Sequence, residues 1–365
     1  MCIYNYIAIF LFSLLLIELN LNLKQVKTAF FAICTLTLLI LLGFRSNTVG
    51  IDTEEYVKMF QGLPNGYGTI DSPNEEIEPG IYYFAYIIRL LSDDYWIWHM
   101  LTSIFTLGPF IYCVNKYSSV KSLPFFLYVS INWSLMYMGL IMMRQNLSTA
   151  FFLYAMIIFI NTKYKHYIIL LVLCLMSIFF HRSTSFAIVL SFVLYYMKFN
   201  KRYVVGFLLL SILVGAFIEN LFYDIIQFVN VVSSNDAVAR FADYDESAFE
   251  NEITIKGLIP PTLYVIVIVL ISEKENLKDL RLRFLIVGCI LYNLFSSINV
   301  AMRIVYPLTL LGLTFVPNSI MGKKMVIYKL LIVIISLYFI KMNIAKYDGR
   351  DEVDGIYPYT FFWEK

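Results

Sequence analysis

The sequence predicts an all-α protein that crosses a membrane many times, and two observations support this fold class. Hydrophobic residues make up 60% of the 365 residues, and the mean hydropathy is +0.73. Apolar stretches long enough to cross a bilayer also recur from one end of the chain to the other. Soluble domains do not have this composition. The sequence therefore predicts a polytopic membrane protein, with membrane lipids and no nucleic acid among its partners.

About twelve transmembrane helices are predicted, and each is an apolar stretch between polar or charged segments. The first stretch has no basic segment before it and no small-residue cleavage site, so it is expected to be a retained helix and not a signal peptide. The predicted spans are 2–20, 28–44, 95–114, 122–141, 144–161, 167–181, 184–198, 203–220, 257–272, 283–299, 303–318 and 325–342.

The loops between these spans fall into two classes, which predict the orientation of the chain. Short loops rich in Lys and Arg alternate with the long segments 45–94 and 221–256 and the tail 343–365, which are acidic or nearly uncharged. Basic loops face the cytoplasm. The chain 1–365 is therefore predicted to be a single membrane domain, with both termini, both long loops and the tail outside.

One short apolar segment within the first long loop complicates this topology. Residues 78–91 read "EPGIYYFAYIIRLL", with Pro79 where a helix would begin and Arg89 near its end. Proline suits the first position of a helix. We expect an interfacial or re-entrant helix here, while a reading with thirteen spans stays open.

Several arginines lie at the predicted outer ends of spans that are far apart in sequence. Arg45 follows the second span, Arg144 begins another, Arg182 follows one and Arg303 begins a late one. Snorkelling towards headgroups is the simpler explanation for any one of them. Their shared level instead predicts an outward-facing cavity for an anion. Because the planar guanidinium pairs well with phosphate, a polyprenyl diphosphate is the expected ligand.

A sugar on a diphosphate already has a good leaving group, so arginines that neutralise the developing charge are sufficient. Neither a metal nor another cofactor is expected, since the five cysteines and three histidines are dispersed. The acceptor hydroxyl would still benefit from a general base. The outer-side candidates are His181, Asp52 and Glu78. Each also has a structural alternative. His181 would be a hydrogen-bonded histidine at a helix junction, Asp52 a helix N-cap, and Glu78 a charge at a helix N-terminus.

These residues lie within an ordered series of segments that resembles the EpsG-type proteins, among the Wzy-like O-antigen and capsule polymerases. The segments are "RSNTVGIDTEEYVKMF" (45–60), "EPGIYYFAYIIRLL" (78–91), "MRQNLSTAFFL" (143–153), "FFHRSTSF" (179–186) and "AMRIVYP" (301–307). Asn146 departs from the small residue that usually follows Arg-Gln in the family. The resemblance carries over Arg45, Gly50, Asp52, Thr53, Tyr56, Glu78, Pro79, Gly80, Arg144, Gln145, His181, Ser183 and Arg303.

The resemblance implies a polymerase that joins oligosaccharide repeat units on undecaprenyl diphosphate at the outer face of the bacterial cytoplasmic membrane, with inversion. It also implies a fold like that of the GT-C membrane glycosyltransferases, and a chain-length regulator protein as a partner. Our residue roles add to this. We expect Arg144, Arg303 and Arg45 to bind diphosphate, and His181, Asp52 and Glu78 to supply catalytic groups. Gln145, Tyr56, Ser183 and Arg182 are expected to bind substrate.

Three other functions remain open at this stage. A flippase for lipid-linked oligosaccharides would also need cations, but it should show internal repeats or broken helices, and no repeat is visible. An O-antigen ligase would share the donor and the chemistry. A membrane acyltransferase would want a base on the cytoplasmic side, where His166 lies in a plain basic loop.

Overall fold

The computed structural model is helical throughout the residues that it describes, which are 2–21, 23–64, 78–131, 139–162, 165–215, 255–296, 299–322, 325–347 and 356–364. No β-strand occurs in these ranges, and an isolated antiparallel bridge joins Arg45 to Phe361. The predicted external loop 221–256 lies almost wholly outside the described residues.

The described part of the chain contains the following α-helices in order. They are α1 (Ile3–Asn20), α2 (Lys24–Gly43), α3 (Thr53–Gly62), α4 (Pro79–Arg89), α5 (Tyr95–Tyr117), α6 (Ser122–Ser130), α7 (Met143–Thr162), α8 (Tyr167–Phe180), α9 (Thr184–Tyr196), α10 (201–215), α11 (Ile255–Ile271), α12 (Leu280–Phe295), α13 (Asn299–Leu313) and α14 (Val326–Tyr347).

The polytopic membrane architecture is confirmed in its general form. Five of the described helices, α1, α2, α5, α7 and α14, are long and apolar enough to cross a membrane, and shorter apolar helices occur among the others. Every predicted span overlaps a helix. The number of spans stays a prediction, because several of these helices are shorter than the roughly 20 residues that a crossing needs.

The predicted span 122–141 differs from the described structure. Helix α6 ends at Ser130, and Ile131 has extended backbone angles. Residues 132–138 lie outside the described part, and the chain is helical again at 139–141. The start of α6 is held by a buried carboxylate from α1, because Glu18 accepts hydrogen bonds from the backbone N–H groups of Lys121 at 2.7 Å and Ser122 at 2.8 Å. These are donors that a helix start leaves unpaired.

The segment 78–91 contains the helix that its sequence predicts. Pro79 is at the start of α4, which has 11 residues. At the rise of an α-helix this is about 16 Å, about half the thickness of a bilayer core. Its interfacial or re-entrant placement remains a prediction.

The C-terminal residues 356–364 pack against the end of α2. The N–H of Ser46 donates to the carbonyl of Thr360 at 2.9 Å, and the N–H of Phe362 donates to the carbonyl of Phe44 at 3.0 Å. The rings of Phe44, Trp96 and Phe362 stack, with the Trp96 and Phe362 centroids 5.2 Å apart. The tail therefore braces the turn that leads from α2 to α3.

Candidate active site

A tight turn between α2 and α3 sets the position of Asp52. Gly50 has a φ of +105°, which other residues rarely adopt. A Cβ there would lie 2.8 Å from the carbonyl of Leu140 and closer still to the hydroxyl of Thr53. That hydroxyl donates to the carbonyl of Val49 at 2.7 Å. Asp52 directly precedes α3, but its side chain makes no capping hydrogen bond. The capping role that local sequence favours for Asp52 is therefore not seen.

Helix α3 also carries Tyr56 and is fixed by an aromatic contact. Phe60, one turn beyond Tyr56, stacks on Trp98 of α5, with ring centroids 5.0 Å apart and an interplanar angle of 10°. Tyr56 is 6% exposed, so its ring packs inward and only its hydroxyl needs a polar partner.

Helix α4 brings Glu78 to the end of α8. Its second residue, Gly80, lies so close to α8 that a Cβ would be 2.9 Å from the carbonyl of Phe179. Glu78 directly precedes α4, and His181 directly follows α8. The close approach at Gly80 therefore places these two side chains together.

Three helices are joined by hydroxyl groups next to His181. Ser148 of α7 donates to the carbonyl of Ser177 of α8 at 2.6 Å. The Ser148 hydroxyl is also within hydrogen-bond distance of Thr184, at the start of α9. Helix α8 ends at Phe180, and the backbone N–H of His181 donates to the Ser177 carbonyl at 3.1 Å. This fixes the backbone of His181 relative to the start of α7, where Arg144 lies.

Four side chains from separate elements form a continuous hydrogen-bonded chain. Nδ1 of His181 is 2.8 Å from Oε1 of Glu78. Nη1 of Arg144 donates to Oε2 of Glu78 at 2.6 Å, and Nε of Arg144 donates to the hydroxyl of Tyr56 at 2.8 Å. An ionised carboxylate only accepts, so Nδ1 of His181 carries the hydrogen. In the neutral form of the imidazole, Nε2 of His181 then holds the lone pair.

A second polar contact joins α7 to α13. Nε2 of Gln145 donates to the backbone carbonyl of Arg303. Within the described part of the chain, Oε1 of Gln145 and Nε of Arg303 are buried and have no hydrogen-bond partner. No salt bridge to Arg303 occurs among the same residues.

These groups surround a small pocket of about 30 Å³, which we call the Arg144 pocket. The pocket is partly open to its surroundings, and the space within it, including the open part, is about 280 Å³. The side chains that line it come from α3 and the turn before it, the start of α7, the end of α8 and α13. They are Asp52, Tyr56, Met142, Arg144, Gln145, His181 and Arg303.

The two carboxyl groups beside the pocket are shifted in opposite directions. Burial raises the pKa of Glu78, but the hydrogen bond from His181, the positive charge that His181 carries when protonated and the charge of Arg144 outweigh burial and lower the pKa to about 2. Burial raises the pKa of Asp52 above its ordinary value, and the charges of Arg303 and Arg144 oppose that rise without cancelling it. Carboxyl groups whose pKa values are pushed apart are typical of acid–base sites.

Most of the residues proposed from the sequence therefore come together, and three do not. Arg45 is 3% exposed, and its Nη1 donates to the carbonyl of Leu42 at 3.2 Å. The C-terminal tail forms hydrogen bonds with Phe44 and Ser46, the residues on both sides of Arg45. The Arg45 side chain is therefore enclosed and does not line the pocket. Arg182 is exposed, and Ser183 directly precedes α9. Neither lines the pocket either.

Sequence reasoning missed Met142, which lines the pocket and has a non-helical backbone just before α7. Its only available signal is its position two residues before Arg144. Among the described residues, no group of three or more His, Cys, Asp or Glu side chains is placed to hold a metal ion.

Comparison with known proteins agrees with the resemblance seen in the sequence. A protein-family model described as the EpsG family matches residues 28–361. Comparisons with curated proteins and with solved structures find no match. Because the family match extends over nearly the whole chain, this protein belongs to the EpsG family, a family of Wzy-like polysaccharide polymerases.

Proposed function

We propose that this protein elongates an O-antigen, capsular or exopolysaccharide by transferring a glycan from undecaprenyl diphosphate to a hydroxyl of the next lipid-linked repeat unit. Transfer occurs with inversion, at the outer face of the bacterial cytoplasmic membrane. The observation that carries this proposal is the hydrogen-bonded chain His181–Glu78–Arg144–Tyr56 beside a pocket that Arg303 also lines. Family membership supports polysaccharide polymerisation in general.

The donor diphosphate binds to the two arginines of the pocket. Arg144 uses one Nη1 hydrogen for Glu78 and its Nε hydrogen for Tyr56. Its other Nη hydrogens stay available for a phosphate oxygen. Arg303 forms no salt bridge among the described residues, although the charge of Asp52 acts on it from a greater distance, so its charge is the less neutralised of the two. Arg303 therefore supplies most of the free positive charge, and Glu78 and Tyr56 hold Arg144 in a fixed orientation.

His181 acts as the general base. Glu78 keeps the hydrogen of the imidazole on Nδ1, so Nε2 can accept a proton from the acceptor hydroxyl. A carboxylate that orients a catalytic histidine in this way has the same role as the aspartate of a Ser-His-Asp triad. Glu78 is thus a positioning residue. Asp52, which makes no capping bond, accepts a hydrogen bond from the hydroxyl group and orients it.

The reaction balances without another reactant. The acceptor oxygen forms a bond to the anomeric carbon while its proton passes to Nε2 of His181. The bond between the anomeric carbon and the phosphate oxygen breaks, and its electron pair leaves with undecaprenyl diphosphate. Arg144 and Arg303 stabilise the charge that develops on this leaving group. The histidine then returns its proton to solvent.

The test uses purified protein in liposomes supplied with its lipid-linked repeat unit. We expect a glycan ladder and released undecaprenyl diphosphate with the wild type, and neither product with Arg144→Ala. Arg281→Ala, which alters an arginine outside the pocket, is the matched control and should retain the ladder.

Other outcomes would contradict the proposal. Movement of the intact lipid-linked unit to the opposite leaflet, with no ladder, would identify a transporter. Transfer of the glycan only when a lipid A core acceptor is added would identify a ligase.

A further inference from the structure

The amide of Gln145 has only one orientation compatible with its surroundings. Its Nε2 donates to the backbone carbonyl of Arg303. The flipped amide would place two carbonyl oxygens against each other. Oε1 must therefore be the amide atom that has no hydrogen-bond partner. Gln145 is 2% exposed, and no described donor reaches this oxygen.

A buried carbonyl oxygen without a donor is destabilising. Other buried polar atoms in the described structure also lack a partner, the Thr149 hydroxyl among them, but Gln145 lines the Arg144 pocket, where a ligand can supply the donor. Nε of Arg303 is a donor without an acceptor, and it belongs to a residue that lines the same pocket. An unpaired acceptor and an unpaired donor around one pocket fit a ligand that carries both an O–H or N–H group and an anionic oxygen. A sugar attached to a diphosphate has both.

We propose that Gln145 is a specificity-determining residue, and that its Oε1 accepts a hydrogen bond from the C2 substituent of the sugar attached to the donor diphosphate. The C2 substituent is the donor group nearest to the anomeric phosphate, because C2 is bonded to the anomeric carbon. This inference rests on the proposed function. It predicts donors whose first sugar carries a hydroxyl or an acetamido N–H at C2.

The experiment measures equilibrium binding to the full-length protein in nanodiscs. The three synthetic ligands are farnesyl diphosphate, farnesyl diphosphoglucose and its 2-deoxyglucose analogue. A site built to bind a hydroxyl rejects the analogue that lacks it, because the buried partner is then left unpaired. We expect the wild type to bind the glucose ligand about tenfold more tightly than the 2-deoxy ligand. We expect Gln145→Leu to bind the two sugars equally.

Gln145→Leu also removes the contact with the Arg303 carbonyl, so it lowers affinity for all three ligands. Only the ratio between the two sugars reports on Oε1. Thr149→Val is the matched control, because Thr149 is one turn further along α7, is fully buried and has an unpartnered hydroxyl. It should keep the wild-type ratio.

Two results would overturn the inference while leaving the proposed function intact. In the first, the wild type binds all three ligands but gives the two sugars equal affinity, as it would if a water molecule satisfied Oε1. In the second, Gln145→Leu keeps the wild-type ratio. Failure of the wild type to bind even farnesyl diphosphate would instead contradict the diphosphate pocket and the inference that rests on it.

Discussion

Two of the pockets in the described part of the chain are lined by an arginine, and they differ in how completely the arginine is paired. The second pocket, here called the Arg281 pocket, has a volume of about 180 Å³ and lies beside the start of α12. Arg281 pairs with both oxygens of Asp279, through Nε at 3.1 Å and Nη2 at 2.6 Å. Its Nη1 reaches the carbonyl of Thr314 at 3.4 Å, and its guanidinium lies 4.5 Å from the centroid of the Tyr117 ring.

The Arg144 pocket is smaller, yet its polar groups are less fully paired. Arg144 retains Nη hydrogens, Arg303 forms no direct salt bridge among the described residues, and Oε1 of Gln145 has no donor there. A guanidinium whose N–H groups all donate to acceptors of the protein itself holds helices and loops together. One with remaining donors can bind a ligand. Incomplete pairing, and not volume, therefore distinguishes the candidate active site from the structural arginine cluster.

The largest expected difference is between alanine substitutions of the two arginines. Arg144→Ala should lower kcat by about 100- to 1,000-fold, as the loss of a group that stabilises developing charge does. Arg144→Lys should recover little, because an ammonium cannot replace the planar fork. Arg281→Ala should lower the melting temperature and leave the rate per folded molecule unchanged. Reconstituted turnover combined with a thermal melt separates these effects. Equal losses of turnover in both alanine variants would remove the distinction between the pockets.

A second comparison concerns the two histidines that lie at the two ends of α8. His181 follows the helix in the Arg144 pocket, whereas His166 precedes it and is exposed. His181→Gln should reduce kcat by about a hundredfold or more, the usual contribution of general base catalysis. His166→Gln should have no effect. Wild-type turnover in His181→Gln would assign the base to another group.

The ion pair of Glu78 with Arg144 and its hydrogen bond with His181 should also contribute to stability. Its pKa is lowered from 4.5 to about 2, so the stabilisation by the ionised carboxylate is complete above pH 4.5 and is lost as the pH falls through about 2. Glu78→Gln should decrease the free energy of unfolding by roughly 3 kcal/mol at neutral pH. The difference from the wild type should shrink between pH 4.5 and 2 in unfolding titrations. A difference that is constant across this range would contradict the pairing.

The smallest expected effect concerns the acid side of the pH–rate profile. Because the pKa of Asp52 is raised above 3.8, Asp52 becomes protonated at a higher pH than an ordinary aspartate and then no longer accepts a hydrogen bond as an anion. Asp52→Asn should lower turnover about tenfold near neutral pH. It should also remove the decrease in rate at low pH that is due to protonation of Asp52. An unchanged profile would show that its ionisation does not matter.

The sequence predicted the elements better than their contacts. Apolar stretches and Pro79 located the helices, because these signals are local. The hydrogen-bond partners of a side chain, by contrast, can lie far away in the sequence. Glu78 is 103 residues from His181 and 66 from Arg144, and nothing in either segment shows that they meet. Arg45 illustrates the opposite error. Its position after a span resembles that of the other arginines, but the tail, more than three hundred residues away, covers it.

Helix ends were also hard to place where the chain stays apolar. The stretch 122–141 has no Gly or charged residue before Gly139, so hydropathy predicts one continuous span, whereas α6 ends at Ser130. Asp52 was hard to interpret for a related reason. Its sequence context suits an N-cap, whereas in the structure Asp52 lines the pocket and makes no capping hydrogen bond.

The most direct test of the central claim is the affinity of farnesyl diphosphate for the protein in nanodiscs, compared among the wild type, Arg303→Ala and Arg281→Ala. If the incompletely paired pocket binds the diphosphate, Arg303→Ala should weaken binding by about tenfold or more, and Arg281→Ala should bind as the wild type does. Unchanged binding in Arg303→Ala, or weakened binding in Arg281→Ala alone, would contradict the account.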